Sequence, residues 1–162
     1  FAFLKKRGEV ILAGDSSGAA LALSLALEHR SVKLVVAISP WLQLPVRGDG
    51  RKIESDKMLS LSKLDFAAKL WRGGVAEKDV RVSPFYGEYA GKRILLFAGE
   101  KERFRPDVLR FFHEKSSRGA SITYLEGRGQ QHCYPLMKTP EGREARMRIF
   151  EKLRMDLYGE GR

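Results

Sequence analysis

The chain has 162 residues, 43% of them hydrophobic and 31% charged, which fits one globular domain with its own core. Thirty Lys and Arg against 20 Asp and Glu give a formal charge of +10. The basic residues alternate with acids, so we expect them to form a solvated surface, and we do not expect a nucleic-acid partner. A single cysteine, Cys133, excludes a disulfide framework or multi-cysteine zinc site and favours a reducing, cytoplasmic compartment.

The hydrophobic pattern alternates between strand-like and helix-like segments. A helix is predicted for residues 1–7, ending at Gly8. Four short apolar runs are predicted as strands: residues 9–14, 32–38, 92–99 and 121–126. Further helices are predicted at residues 18–29, 63–72 and 106–116 and from Pro140 onward. Thr139 is the predicted N-cap of the last of these helices. This alternation predicts an α/β fold, a parallel sheet with helices on its faces and functional loops at the carboxyl ends of the strands.

The stretch from Trp41 to Arg81 has no strand signal. It contains a loop around residues 48–50, followed by a helix for which Ser62 and Asp65 are predicted to form a capping box. We interpret residues 41–81 as an excursion from a single domain spanning 1–162. The excursion either packs on the sheet or caps a substrate site.

The most specific local pattern is Gly14-Asp15-Ser16-Ser17-Gly18, which follows a predicted strand and opens a predicted helix. In that setting G-x-S-x-G places a nucleophilic serine on a sharp turn. The turn is expected to require a bare backbone at both Gly14 and Gly18, so that the helix can pack close to the strand. Ser16 is the expected nucleophile, with Ser17 as the alternative. Backbone N–H groups at the helix start, above all that of Ser17, favour the negative charge that develops on an oxyanion.

A serine nucleophile needs a base and an acid that orients it. His132 lies in the loop directly after the fourth predicted strand, whereas His29 and His113 lie on predicted helices. Three acids follow the third strand: Glu100, Glu102 and Asp107. Glu100 comes too early to turn toward the histidine loop, and Asp107 lies in the first turn of a helix. The favoured acid is Glu102, although Asp107 stays open. The order Ser16, Glu102, His132 is that of α/β-hydrolases.

These residues resemble the α/β-hydrolase superfamily, specifically its hormone-sensitive-lipase-like ("alpha/beta hydrolase 3") esterase branch. Besides the serine turn, the matching stretches are Ile38-Ser39-Pro40-Trp41-Leu42, Ser83-Pro84-Phe85, the acid loop from Leu96 to Phe104, and Gly129-Gln130-Gln131-His132. The resemblance implies the C-terminal half of the family fold, about four parallel strands flanked by helices. It also implies hydrolysis of a small-molecule ester by Ser16, Glu102 and His132, with no metal or organic cofactor.

The resemblance also implies upstream elements. The family's oxyanion hole takes donors from a His-Gly-Gly loop, and this sequence contains no His-Gly-Gly. We therefore expect the chain to be part of a longer enzyme, with the nucleophile strand exposed as a sheet edge that can pair with another copy.

Two functions are weighed: a serine ester hydrolase and a catalytically impaired remnant or interaction module. Related acyl-transfer or peptidase chemistry on the same residues, and association with an anionic membrane surface, stay open.

Overall fold

The computed structural model describes Phe3 and residues 8–159. Within residues 8–159, strands and helices alternate as β1 (Val10–Asp15), α1 (Ser16–Glu28), β2 (Val32–Ile38), α2 (Leu61–Arg72), β3 (Arg93–Gly99), α3 (Arg105–Ser117), β4 (Ser121–Gly127) and α4 (Pro140–Tyr158). The helix predicted for residues 1–7 lies, apart from Phe3, outside the described residues.

The four strands form one parallel sheet in the order β1-β2-β3-β4, which confirms the predicted α/β class. The last residues of neighbouring strands are in register: Asp15 pairs with Ile38, and Gly99 pairs with Gly127. Consequently the loops that follow the strands meet along one edge of the sheet. Among the described strands, β1 has a neighbour on one side only, so it forms an edge there, as predicted.

The core has two parts, one on each face of the sheet. Helices α1, α2 and α3 cover one face, where Leu23, Leu96 and Phe111 are fully buried. Helix α4 covers part of the other face, where Phe97 is fully buried and Ala145 packs beside it. The inner strands β2 and β3 are buried along nearly their whole length, as expected for strands covered on both faces.

Two local predictions need correction. Helix α1 begins at Ser16 rather than Gly18, so the serine lies in the first helical turn. Helix α2 begins at Leu61 after Ser60, and the predicted capping box is wrong because the Asp65 carboxylate accepts two hydrogen bonds from Arg51, at 2.8 and 2.9 Å.

Two other expectations are confirmed. The Thr139 hydroxyl caps α4 by accepting from the Gly142 N–H at 3.1 Å, and residues 41–81 contain no strand. In the part of the chain described, no helix has both the length and the apolar composition needed to cross a bilayer.

Candidate active site

Ser16 occupies the turn between β1 and α1. Its φ of 52° lies in the left-handed region, which costs a non-glycine residue roughly 1–3 kcal/mol. The turn is tight because Gly14 has no side chain: a Cβ there would lie 2.5 Å from the backbone C and O of Gly18. A Cβ on Gly18 would meet no described atom within 4 Å. The expected need for a bare backbone therefore holds for Gly14 and is wrong for Gly18.

Backbone contacts hold this turn against the next strand end. The Ser16 carbonyl accepts from the Trp41 N–H at 3.1 Å, which ties the turn to the loop after β2. Ser16 is half-buried and Ser17 is exposed. Because the first N–H groups of a helix have no intrahelical acceptor, the Ser17 N–H is available to a ligand at this end of α1.

Glu102 lies in the loop after β3 and is fully buried, with 0% of its surface exposed. Its two competitors are committed elsewhere. Asp107 accepts from Gln43 Nε2 at 2.9 Å and from Arg110 at 2.8 Å, and burial raises the pKa of its carboxyl. Glu100 does reach the histidine loop, contrary to the expectation, since its Oε2 accepts from the Gly129 N–H at 2.6 Å. It therefore anchors the start of that loop.

The His132 side chain is buried beside Glu102, with Nδ1 3.3 Å from Glu102 Oε2. Among the described residues Nδ1 has no partner with hydrogen-bond geometry, so this is a close contact of the two groups rather than a formed hydrogen bond. The edge of the His132 ring packs against Phe104, with ring centroids 5.2 Å apart. A Cβ on Gly99 would run into the backbone of the residue before His132, so the glycine that ends β3 admits this loop. Of the other histidines, His29 follows the end of α1 and His113 is an exposed residue of α3.

Sequence reasoning missed Ser39 as a site residue. Ser39 comes directly after β2, is fully buried, and has a left-handed φ of 47°. Its hydroxyl donates to Glu102 Oε2 at 2.6 Å and accepts from the Cys133 N–H at 2.9 Å. The available signal was the matching stretch Ile38-Ser39-Pro40-Trp41-Leu42, from which no role in the site is predicted.

Cys133, the neighbour of His132, connects the histidine loop to the serine turn. Its Sγ lies 4.0 Å from Asp15 Oδ2. Burial, with the carboxylates of Asp15 and Glu102, raises the pKa of this thiol to about 12. The residues next to Ser16 and next to His132 are therefore in contact.

Residues 55–57 of the excursion segment hydrogen-bond to the histidine loop. The Gln131 side chain donates from Nε2 to the Ser55 carbonyl at 3.0 Å, and its Oε1 accepts from the Lys57 N–H at 3.1 Å. The Ser55 hydroxyl in turn donates to the Lys101 carbonyl at 3.1 Å, just before the acid. Residues 55–57 thus lie between the acid loop and the histidine loop.

The residue after the acid is held in the same way. The Arg103 N–H donates to Asp56 Oδ2 at 2.8 Å, and the Arg103 guanidinium donates to the Gly50 carbonyl at 2.9 Å. Because Arg103 is adjacent to Glu102, the excursion segment fixes the backbone on both sides of the Glu102–His132 contact.

An apolar cavity of about 250 Å³ opens at the start of α1. Its walls come from α1, the loop after β2 and α2, and include Ser17, Ala20, Trp41, Ala67, Leu70 and Trp71. Four of these, Trp41, Ala67, Leu70 and Trp71, belong to the excursion segment. A larger cavity of about 540 Å³ lies on the other face of the sheet, between β4 and α4. Ser16, Glu102 and His132 line neither cavity, but the smaller one includes Ser17, the neighbour of Ser16.

A family model for the alpha/beta hydrolase fold matches residues 2–136. The chain belongs to this family. It is 29% identical, over 150 residues, to an acetyl-hydrolase of Streptomyces hygroscopicus, an alignment that covers 85% of this chain and 50% of that protein. This membership confirms the superfamily indicated by the sequence.

Solved structures agree on the fold. An esterase/lipase from an uncultured bacterium superposes with a TM-score of 0.86 at 23% identity, covering 94% of this chain and 56% of that one. A hormone-sensitive lipase from a metagenome library superposes with a TM-score of 0.80 at 20% identity, covering 94% and 58%. The chain spans about half the length of the curated relatives it matches.

Proposed function

We propose that this chain carries the catalytic residues of a serine carboxylic-ester hydrolase, with Ser16 as nucleophile, His132 as general base and Glu102 as the orienting acid. The observation that supports this most is the buried Glu102–His132 contact of 3.3 Å at the sheet edge where the serine turn also lies. The contact between Cys133 and Asp15, the residues next to His132 and Ser16, brings the two loops together.

In this mechanism His132 uses its two ring nitrogens differently. Nδ1 faces Glu102, so Nε2 is left to take the proton from the Ser16 hydroxyl as Oγ attacks the ester carbonyl carbon. The imidazolium then protonates the departing alcohol as the ester C–O bond breaks, leaving an acyl-serine. Water, deprotonated by the same nitrogen, attacks the acyl carbon. The bond from that carbon to Ser16 Oγ then breaks, and the imidazolium returns its proton to Oγ as the acid is released. Glu102 keeps the required tautomer and offsets the charge of the imidazolium.

The developing oxyanion meets the backbone N–H of Ser17, whose donor is free at the start of α1. The resemblance implies further donors from a His-Gly-Gly loop that this sequence does not contain. Because the loss of one such donor lowers turnover by about 10²–10³, we expect the chain by itself to be a slow catalyst.

The substrate's apolar group is assigned to the cavity of about 250 Å³ beside Ser17. Leu70 and Trp71 on its wall make residues 41–81 a cap on the site. A cavity of this size fits a short aliphatic group, in keeping with the relative named an acetyl-hydrolase.

A second candidate, a catalytically impaired remnant or interaction module, is favoured by the edge position of β1 among the described strands. A strand with an unpaired side can add a strand from another chain. In that case the chain would self-associate and hydrolyse nothing.

Hydrolysis of p-nitrophenyl acetate and butyrate tests the two candidates. We expect slow turnover that Ser16→Ala abolishes and that the exposed Ser121→Ala leaves intact. Labelling with a fluorophosphonate and mass spectrometry of the modified peptide should place the adduct on Ser16 rather than Ser17. Turnover that persists in Ser16→Ala, or a chain that is neither labelled nor active, would refute the hydrolase proposal.

A further inference from the structure

The Ser39 hydroxyl has a fixed direction in its hydrogen-bond chain. The Cys133 N–H can only donate, so Ser39 Oγ must accept there, at 2.9 Å. Its single proton is then left for Glu102 Oε2, at 2.6 Å. This series of hydrogen bonds therefore runs from the Cys133 amide through the Ser39 hydroxyl to Glu102 Oε2, the carboxylate oxygen nearest to His132 Nδ1.

Glu102 depends on this donor because few other polar groups reach it. The carboxylate is completely buried, and its Oε1 has no hydrogen-bond partner among the described residues. A buried carboxylate needs donors to offset its lost hydration. Without the Ser39 hydroxyl, neither the rotamer of Glu102 nor the oxygen turned toward His132 would be set by a hydrogen bond.

Ser39 is itself held from several sides. Its N–H donates to the Phe97 carbonyl of β3 at 2.8 Å, and the next residue is Pro40. The side chain has 0% of its surface exposed. The hydroxyl therefore sits at a fixed place between the acid and the backbone of the residue that follows His132.

We propose that Ser39 is a positioning residue of the candidate active site: its hydroxyl orients the Glu102 carboxylate and couples it to the backbone of the histidine loop. This inference rests on the proposed function, since it gives Ser39 a role through Glu102 and His132. It assigns Ser39 no contact with substrate.

The left-handed φ of 47° at Ser39 lets substitutions separate the effect of losing the hydroxyl from the effect of backbone strain. Glycine adopts this backbone conformation without strain, alanine does so less readily, and threonine least readily. Ser39→Gly therefore removes the hydroxyl while relieving the backbone, Ser39→Ala removes it without relief, and Ser39→Thr keeps a hydroxyl on a more strained backbone. If Ser39 only shapes the turn, glycine should be the best replacement.

We expect kcat for p-nitrophenyl butyrate to fall about tenfold to a hundredfold in both Ser39→Gly and Ser39→Ala, the range for losing a hydrogen bond to a charged group. KM should stay unchanged because Ser39 does not line the apolar cavity. Ser39→Gly should nevertheless unfold at the same or higher urea concentration than Ser39→Ala. Any Ser39→Thr protein that folds should keep more activity than either.

A second measurement separates this inference from the hydrolase proposal. Proton NMR can follow the His132 Nδ1–H resonance, which reports its contact with Glu102 whether or not ester is hydrolysed, and His132→Asn identifies the signal. We expect this resonance to move or broaden away in Ser39→Gly. If the wild type is inactive but the resonance responds, Ser39 positions Glu102 and the hydrolase proposal fails. If Ser39→Gly keeps full kcat, or leaves the resonance unchanged, the positioning role is overturned.

Discussion

The two glycines of Gly14-Asp15-Ser16-Ser17-Gly18 should respond oppositely to alanine. In Gly14→Ala the new methyl group would lie 2.5 Å from the Gly18 carbonyl group and 2.8 Å from the Ala19 nitrogen. Ordinary contact begins near 3.4 Å, so the start of α1 must move by about 0.9 Å. Overpacking of this kind costs about 1–3 kcal/mol, and a displacement near 1 Å can lower turnover about 10²-fold.

Gly18→Ala is the matched control, because it adds the same methyl group four residues away. Its Cβ meets no described atom within 4 Å, and Gly18 lies in the first turn of α1. Alanine loses less backbone entropy on folding than glycine does, so this variant should be unchanged or about 0.5 kcal/mol more stable.

Urea unfolding followed by far-UV circular dichroism measures both changes without requiring activity. Parallel fluorophosphonate labelling of Ser16 reports the geometry of the turn. Equal destabilisation by the two substitutions, or a Gly14→Ala protein as stable as the wild type, would refute the steric account of the turn.

Two further predictions concern Cys133 and Trp71. The pKa of the Cys133 thiol is raised to about 12 from its ordinary 9.0, so iodoacetamide at pH 8 should modify this single cysteine in urea and not in the folded chain. Because the unfolded thiol ionises first, the wild type should lose stability relative to Cys133→Ala as the pH rises from 9 toward 12, and a constant difference between the two would contradict the shift. Trp71→Ala opens the cavity wall beside Ser17. It should raise KM for the butyrate ester severalfold, and KM for the acetate ester by less. The exposed Phe66→Ala on the same helix should leave both KM values unchanged, and equal effects of the two substitutions would argue against a cap.

The strands and the three loops of the candidate site were predictable because their signals are local. Short apolar runs mark β2 and β3, the first followed by Ser39-Pro40 and the second closed by Gly99, and parallel pairing brings their carboxyl ends to one edge. Once the topology is known, the loop after β3 and the loop after β4 must be neighbours. The Glu102–His132 contact lies where these two loops meet.

The supporting contacts were not predictable because they join distant parts of the chain. Ser39 bonds to Cys133 across 94 positions, and Gln131 bonds to Ser55 across 76. No periodicity in either segment specifies such a pairing. Glu100 was misjudged for a related reason: whether a side chain reaches a neighbouring loop depends on how both backbones turn.

Backbone strain is concentrated where the candidate chemistry lies. Among the described residues, the non-glycine residues with a left-handed φ are Ser16, Ser39 and Cys133. Such conformations persist only where the surrounding structure enforces them, and each of these residues is tied across the sheet edge. The Ser16 carbonyl accepts from Trp41, the Ser39 N–H donates to Phe97, and the Cys133 N–H donates to Ser39. The strain is therefore offset by hydrogen bonds that join the carboxyl ends of neighbouring strands and the loops that follow them.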